Sequence, residues 1–265
     1  MRRDPKCLLV TFDAFGTLFT PRGGIGPHYH ATCLAHGIQP PSPEAISKAF
    51  PAARQRLSAL HPNFGFGSES VGVGPIYWWA TLIRDTLIDA GLEPTKARGK
   101  KWNAVVRELY SGFQEADKYE VFPDVLSTLD TLHNSNFPTC LGVVSNMDNR
   151  LSTILENLAL NKYFDFVLTS YKAGVEKPNA EIWARTLSIA EKMWGYDVPD
   201  VVAVHVGDDP EKDFRGSGDN GFIPFLLRRK ESIMDTERKN GHVNSLTDVV
   251  AYLSKRGLIL KREKL

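Results

Sequence analysis

Cysteine is scarce in this chain. Cys7, Cys33 and Cys140 are the three present, widely scattered, too few for a disulfide framework or a four-ligand zinc site, which favours reduced thiols in the cytosol or nucleus. Long apolar runs are missing too, and no stretch approaches a membrane-spanning length. The opening Met-Arg-Arg-Asp-Pro leads into an apolar run that starts at Cys7 and is closed by Asp13. That run is too short and too polar-ended for a signal peptide. An excess of one charge is also absent: 32 basic residues face 31 acidic ones for a net charge of +1. This removes the broad basic field of a dedicated nucleic-acid binder. We therefore expect a soluble cytoplasmic protein, with nuclear residence open, and neither nucleic acid nor membrane among its partners. Internal repeats and low-complexity segments are not found.

Hydrophobic residues at 42% and charged residues at 24% fit a globular chain. Its 265 residues exceed one ordinary domain but fall short of two large ones, so one domain carrying a sizeable insertion is expected. Short continuous apolar runs recur at 7–12, 140–144, 166–168, 201–206 and 223–227. Lacking strict alternation, they read as strands buried on both faces. Apolar residues at three-to-four spacing predict helices over 124–132, 151–158, 180–193 and 246–253. This alternation predicts an α/β fold, a doubly wound and mostly parallel sheet. About a hundred residues separate the first strand from the second, too many for an ordinary crossover. An inserted helical cap is expected at 22–119, with helical patterns over 43–60, 76–90 and 95–113, and the core domain at 1–21 and 120–265.

Four strand-end segments carry the chemistry. The first strand delivers Asp13 in Phe12-Asp13-Ala14-Phe15-Gly16-Thr17-Leu18. The second ends in Ser145-Asn146, and Lys177 lies on a loop before Pro178. The fourth strand ends in Gly207-Asp208-Asp209, with Asp213 shortly after. Strands of a parallel sheet bring these to one edge. Carboxylates converging there raise one another's pKa unless a divalent cation and a lysine compensate. An all-oxygen set favours Mg²⁺.

The set and its order resemble the haloacid dehalogenase superfamily of aspartate-nucleophile hydrolases over nearly the whole chain, and the insertion after the first strand resembles that family's C1-type cap on a Rossmann-like core. The resemblance implies phosphoryl transfer on a small phosphorylated molecule. Asp13 would attack, Lys177 and Mg²⁺ would offset phosphoryl charge, and Ser145 would hold a phosphoryl oxygen. It further implies Mg²⁺ held by Asp13, the Phe15 main-chain carbonyl and Asp208. Asp213 stands close behind, as a ligand or as the group orienting Lys177. Thr17 and Asn146 fix loop geometry.

One residue departs from the pattern. Phosphatases of the family carry a second Asp two residues after the nucleophile, which protonates the leaving alcohol and then activates water. Phe15 does neither, although its carbonyl remains available to a metal. Two other readings therefore stand beside a weak or narrow phosphatase. One is a catalytically impaired binding or scaffold protein. The other is a 2-haloacid dehalogenase, weakened because no arginine follows Arg22 until Arg54 and because the acidic fourth motif is intact.

Other features carry less. Gly65, Gly67, Gly72 and Gly74 read as a joint between cap helices rather than a phosphate loop. Trp78 and Trp79 point about 100° apart on a helix, so one packs inside and the other faces elsewhere. His28, His30 and His36 lack an accompanying ligand set and read as exposed or capping residues, and His205 reads as a satisfied core histidine. The basic tail of Lys255, Arg256, Lys261, Arg262 and Lys264 reads as a solvated extension, with a nuclear-import or anionic-surface role as the alternative. Monomer and homodimer are both open.

Overall fold

The computed structural model describes residues 7–67, 74–195, 201–229, 231 and 233–259. Gly72, Lys261, Arg262 and Lys264 lie outside the described residues. The chain divides into two compact units: Met1–Phe19 with Val121–Met147 and Leu158–Leu265, and Thr20–Glu120 with Asp148–Asn157.

In the first unit the strands are β1 (Cys7–Phe12), β4 (Thr139–Ser145), β5 (Phe166–Thr169), β6 (Val201–Gly207), β7 (Ile223–Leu227) and β8 (His242–Val243). They form one sheet in the order β5-β4-β1-β6-β7-β8, with every adjacent pair parallel. β1 is buried along its whole length, as its run of apolar residues, interrupted only by Thr11, requires once helices cover both faces. The helices of this unit are α5 (Val125–His133), α7 (Ser170–Ala173), α8 (Ala180–Trp194), α9 (Gly216–Gly218), α10 (Asp235–Lys239) and α11 (Leu246–Lys255). Trp183 of α8 is fully buried in a core with Leu9, Cys140, Val144, Leu168, Ala203 and Phe222. Caps start the helices where the sequence supplies them. The Asn179 side chain accepts from the Glu181 N–H at α8, and Ser245 forms a capping box with Asp248 at α11.

β1 is central, with β4 and β5 to one side and β6 to β8 to the other. The chain reverses direction across the sheet at β1, and the carboxyl end of such a strand is where doubly wound sheets bind ligands.

The second unit is helical: α1 (Ile25–Ala35), α2 (Pro43–Leu60), α3 (Pro75–Asp89), α4 (Gly99–Gly112) and α6 (Arg150–Asn157). Its core gathers Tyr29, Cys33, Ile46, Ile83, Leu87, Trp102, Val105 and Leu109. Sequence patterning did not predict α1, because that helix buries only Gly26, Tyr29 and Cys33, a stripe too narrow to register. α4 begins at Gly99 rather than 95, since Pro94–Lys96 forms a separate 3₁₀ turn and Arg98 is extended. Trp78 is buried and donates from Nε1 to the His61 carbonyl at 2.9 Å, whereas Trp79 is partly buried and donates to Asp148 at 2.7 Å. β2 (Phe19–Pro21) and β3 (Tyr119–Val121), at the two chain crossings, pair with each other. No described helix is long and apolar enough to cross a membrane.

Candidate active site

Register places the ends of β1, β4 and β6 at one level. Phe12 lies opposite Val143 on one side and Val206 on the other, so Asp13 emerges beside Val144 and Gly207. The Asp13 N–H still bonds the Val206 carbonyl at 2.9 Å, after which the chain turns, with the Leu18 N–H on the Ala14 carbonyl at 2.8 Å. Gly16 makes this turn at φ +80°, and any Cβ there would land on the Asp208 carboxylate. Gly207 is constrained in the same way by Asp213.

Lys177 is the centre of the arrangement. Its side chain is buried, and the three ammonium protons have three acceptors: Asp13 Oδ1 at 2.7 Å, the Val144 carbonyl at 2.7 Å and Asp213 Oδ1 at 2.6 Å. Asn146 clamps the backbone of Lys177, accepting from its N–H at 2.8 Å and donating to its carbonyl at 2.9 Å. Burial disfavours the ammonium, but Asp13 and Asp213 outweigh it and hold the pKa above its ordinary value.

The carboxylates divide the work. Asp209 caps the following helical turn, its Oδ1 accepting the Glu211 and Lys212 N–H groups at 3.0 and 2.9 Å. Asp213 Oδ1 accepts from Lys177 and from His205 Nε2 at 3.2 Å, and its Oδ2 from the Asp209 N–H at 3.0 Å. Burial pushes Asp213 up, yet Lys177 and His205 prevail and hold it well below the usual carboxylate range. Burial raises Asp13, with Lys177 opposing and Asp213 adding to the rise. Asp208, though solvent reaches it, is pushed up to about 7 by its surroundings and by the charges of Asp13 and Asp213. Oxygen atoms of Asp13, Asp208 and Asp213 lie within 4.8 Å of one another. Three carboxylates against one ammonium leave excess negative charge, and an all-oxygen set of this size fits Mg²⁺.

All the motif residues named from sequence gather at this edge. Ser145 is buried at the end of β4. Thr17 is buried, and its hydroxyl has no partner among the described residues. Its carbonyl accepts from Arg229 at 2.8 Å. The Phe15 ring packs edge-on against Phe19 with centroids 4.9 Å apart. The model for haloacid dehalogenase-like hydrolases matches residues 8–216.

The chain belongs to the haloacid dehalogenase-like hydrolase family.

Haloacid dehalogenase-like hydrolase domain-containing protein 3 of Bos taurus is 32% identical over 225 residues, 85% of this chain and 83% of that protein. The Danio rerio protein of the same name is 34% identical over 222 residues, 84% and 85% of the two chains. Among solved structures, the HAD-hydrolase YfnB of Bacillus subtilis, determined with magnesium bound, is similar with a TM-score of 0.68. The likeness covers 95% of this chain and 100% of that one. At 14% identity it speaks to the fold alone.

Two residues of this hydrolase that touch the site were not read from sequence as part of it. His205 bonds Asp213, and a signal existed, since a polar side chain inside an unbroken apolar strand needs a partner. Arg229 donates to both Asp124 oxygens at 2.9 Å, and Asp124 also accepts from Ser245 Oγ at 2.7 Å and the Leu246 N–H at 2.8 Å. Arg229 therefore ties the loop after β1, through Thr17, to the starts of α5 and α11. No local pattern announces it. His28 of α1 and His36 just past its end do not converge: His28 bonds the Arg22 carbonyl and His36 bonds Glu108. Arg22 itself is spent on the Tyr119 carbonyl at 2.9 Å.

Proposed function

We propose that this hydrolase is a Mg²⁺-binding phosphohydrolase that uses Asp13 as its nucleophile on a small phosphorylated molecule, with weak or narrow turnover. The observation that carries this reading is the three-way grip of Lys177 on Asp13, Asp213 and the Val144 carbonyl, within a cluster whose net charge is negative. Asp13, Asp208 and the Phe15 carbonyl would hold Mg²⁺, with Asp213 adjacent. When bound, the ion would neutralise charge on the phosphoryl oxygens.

The chain's own groups supply the rest. Lys177 holds Oδ1 and keeps the Asp13 carboxylate from rotating. An Asp13 oxygen forms a bond to phosphorus as the bond from phosphorus to the leaving oxygen breaks. Ser145 donates to a phosphoryl oxygen. Water then attacks phosphorus in the aspartyl-phosphate, releasing inorganic phosphate and restoring the carboxylate. With Phe15 where an acid would stand, the leaving oxygen departs as an anion and takes its proton from water. Losing that acid costs roughly 10² to 10⁴ in rate for poor leaving groups, so aryl and acyl phosphates should be favoured over alkyl phosphates.

The test compares p-nitrophenyl phosphate with an alkyl phosphate, with and without Mg²⁺. Asp13→Asn should remove turnover of both, and Phe15→Asp should raise alkyl-phosphate turnover selectively. Undiminished turnover in Asp13→Asn sinks covalent catalysis. The ring of Phe15 seated on Phe19 also favours a second reading, a catalytically impaired binding protein. Preserved Mg²⁺ binding with no turnover of any phosphate would select it.

A further inference from the structure

We infer that His205, fixed by Thr11, is a positioning residue for the reaction: it holds the Asp213 carboxylate against Lys177 and thereby orients the ammonium that grips Asp13. The inference rests on the nucleophilic reading of Asp13 above.

Thr11 and His205 stand directly opposite each other on β1 and β6. Both are fully buried, in strands whose neighbours are apolar. Burying a hydroxyl and an imidazole where two aliphatic side chains would pack costs stability unless every polar atom is matched. Here they are matched: Thr11 Oγ1 lies 2.8 Å from His205 Nδ1 and 3.0 Å from the Val204 carbonyl, and His205 Nε2 lies 3.2 Å from Asp213 Oδ1. An ionised carboxylate only accepts, so in either charge state of the ring Nε2 carries hydrogen. The Trp183 ring, edge-on at 4.8 Å between centroids, blocks the imidazole from turning away.

The consequence falls on Asp213. Its Oδ1 takes two donors, Lys177 and His205, and its Oδ2 takes the Asp209 N–H. Three donors on two oxygens leave the carboxylate one rotamer. Without the imidazole, Oδ1 depends on Lys177 alone, so the lysine and Asp213 are free to shift together, and the grip on Asp13 shifts with them. Misplacing a catalytic group by about 1 Å costs on the order of 100-fold in rate.

The test uses His205→Phe, which keeps the ring shape, and His205→Gln, which returns an N–H near the position of Nε2. We expect His205→Phe to lower kcat on an aryl phosphate by about 10- to 100-fold at unchanged KM, and His205→Gln to recover most of it. The side-chain ammonium of Lys177, followed by ¹H–¹⁵N NMR, should be protected from exchange in the wild type, lost in His205→Phe and restored in His205→Gln. Equal behaviour of the two variants, in rate and in the Lys177 signal, overturns the inference. Should His205→Phe fail to fold, Thr11→Val against Thr11→Ser decides in the same way, with only the serine keeping the signal. The NMR readout needs no turnover. Activity surviving in Asp13→Asn would therefore sink the phosphohydrolase reading while the Lys177 signal still judges His205.

Discussion

Each unit of the molecule contains a buried ionic cluster, and the two are built on opposite principles. In the helical unit Asp148 faces Arg150 one to one. Asp148 accepts from Trp79 Nε1 at 2.7 Å, from the Arg150 N–H at 2.9 Å and from its guanidinium at 2.8 Å. Arg150 also donates from Nη1 to the Tyr110 carbonyl at 3.0 Å and lies over the Tyr110 and Trp79 rings at 4.1 and 4.7 Å. Charge closes within the cluster, one carboxylate against one guanidinium. In the α/β unit three carboxylates meet one lysine, and Asp208 is left pushed up to about 7 by its surroundings and its neighbours. A balanced cluster holds structure by itself, whereas an unbalanced one keeps its shape only because rigid strand ends hold it, and has room for a cation.

The comparison breaks or sharpens under three measurements. Arg150→Met leaves the Asp148 carboxylate buried and unpaired, which should cost about 3–5 kcal/mol by urea unfolding. A cost below about 1 kcal/mol would show that the balanced cluster is not structural. Mg²⁺ should stabilise the wild type by about 2.7 kcal/mol at a hundredfold excess over Kd, and Asp208→Asn should lose most of that gain. In chelator, Asp208→Asn should itself melt higher, because one repelling charge is gone. A full Mg²⁺ response in that variant would place the cation elsewhere.

The smallest effect concerns Asp124, which Arg229 links to the loop after β1. Burial pushes its pKa up, but Arg229, Ser245 and the Leu246 N–H hold it below its ordinary value. A carboxyl with a depressed folded pKa contributes stability that is present above its unfolded value, near 4, and fades as pH falls through the folded one. Asp124→Asn should therefore cost about 1–2 kcal/mol at neutral pH, with the gap to wild type closing in acid. Thermal melts across pH 2 to 7 would show it, and a gap independent of pH would contradict the Arg229 anchor.

Much of this arrangement is legible in the string because it is local. An apolar run such as Cys7–Phe12 with no alternation is a doubly buried strand, and a parallel sheet delivers the residue after each strand to one edge. That reasoning brings Asp13, Ser145 and Asp208 together without coordinates. It says nothing of α1, whose buried stripe is one residue per turn, and the amphipathic pattern of α6 does not by itself say which unit that helix joins.

Composition and period therefore determined the parallel α/β core, five of the six described strands of its sheet and the acidic edge with its lysine, since these follow from short-range sterics and from apolar burial along the chain, whereas the two-residue β8 is too short to leave a pattern. Only the tertiary structure decided which oxygen each donor satisfies: that Asp209 caps a turn while Asp208 faces Asp13, that His205 answers Thr11 and Asp213, and that Arg229 holds the Thr17 carbonyl. Those choices are hydrogen bonds between groups far apart in sequence, and their distances exist only once strands have been brought into register.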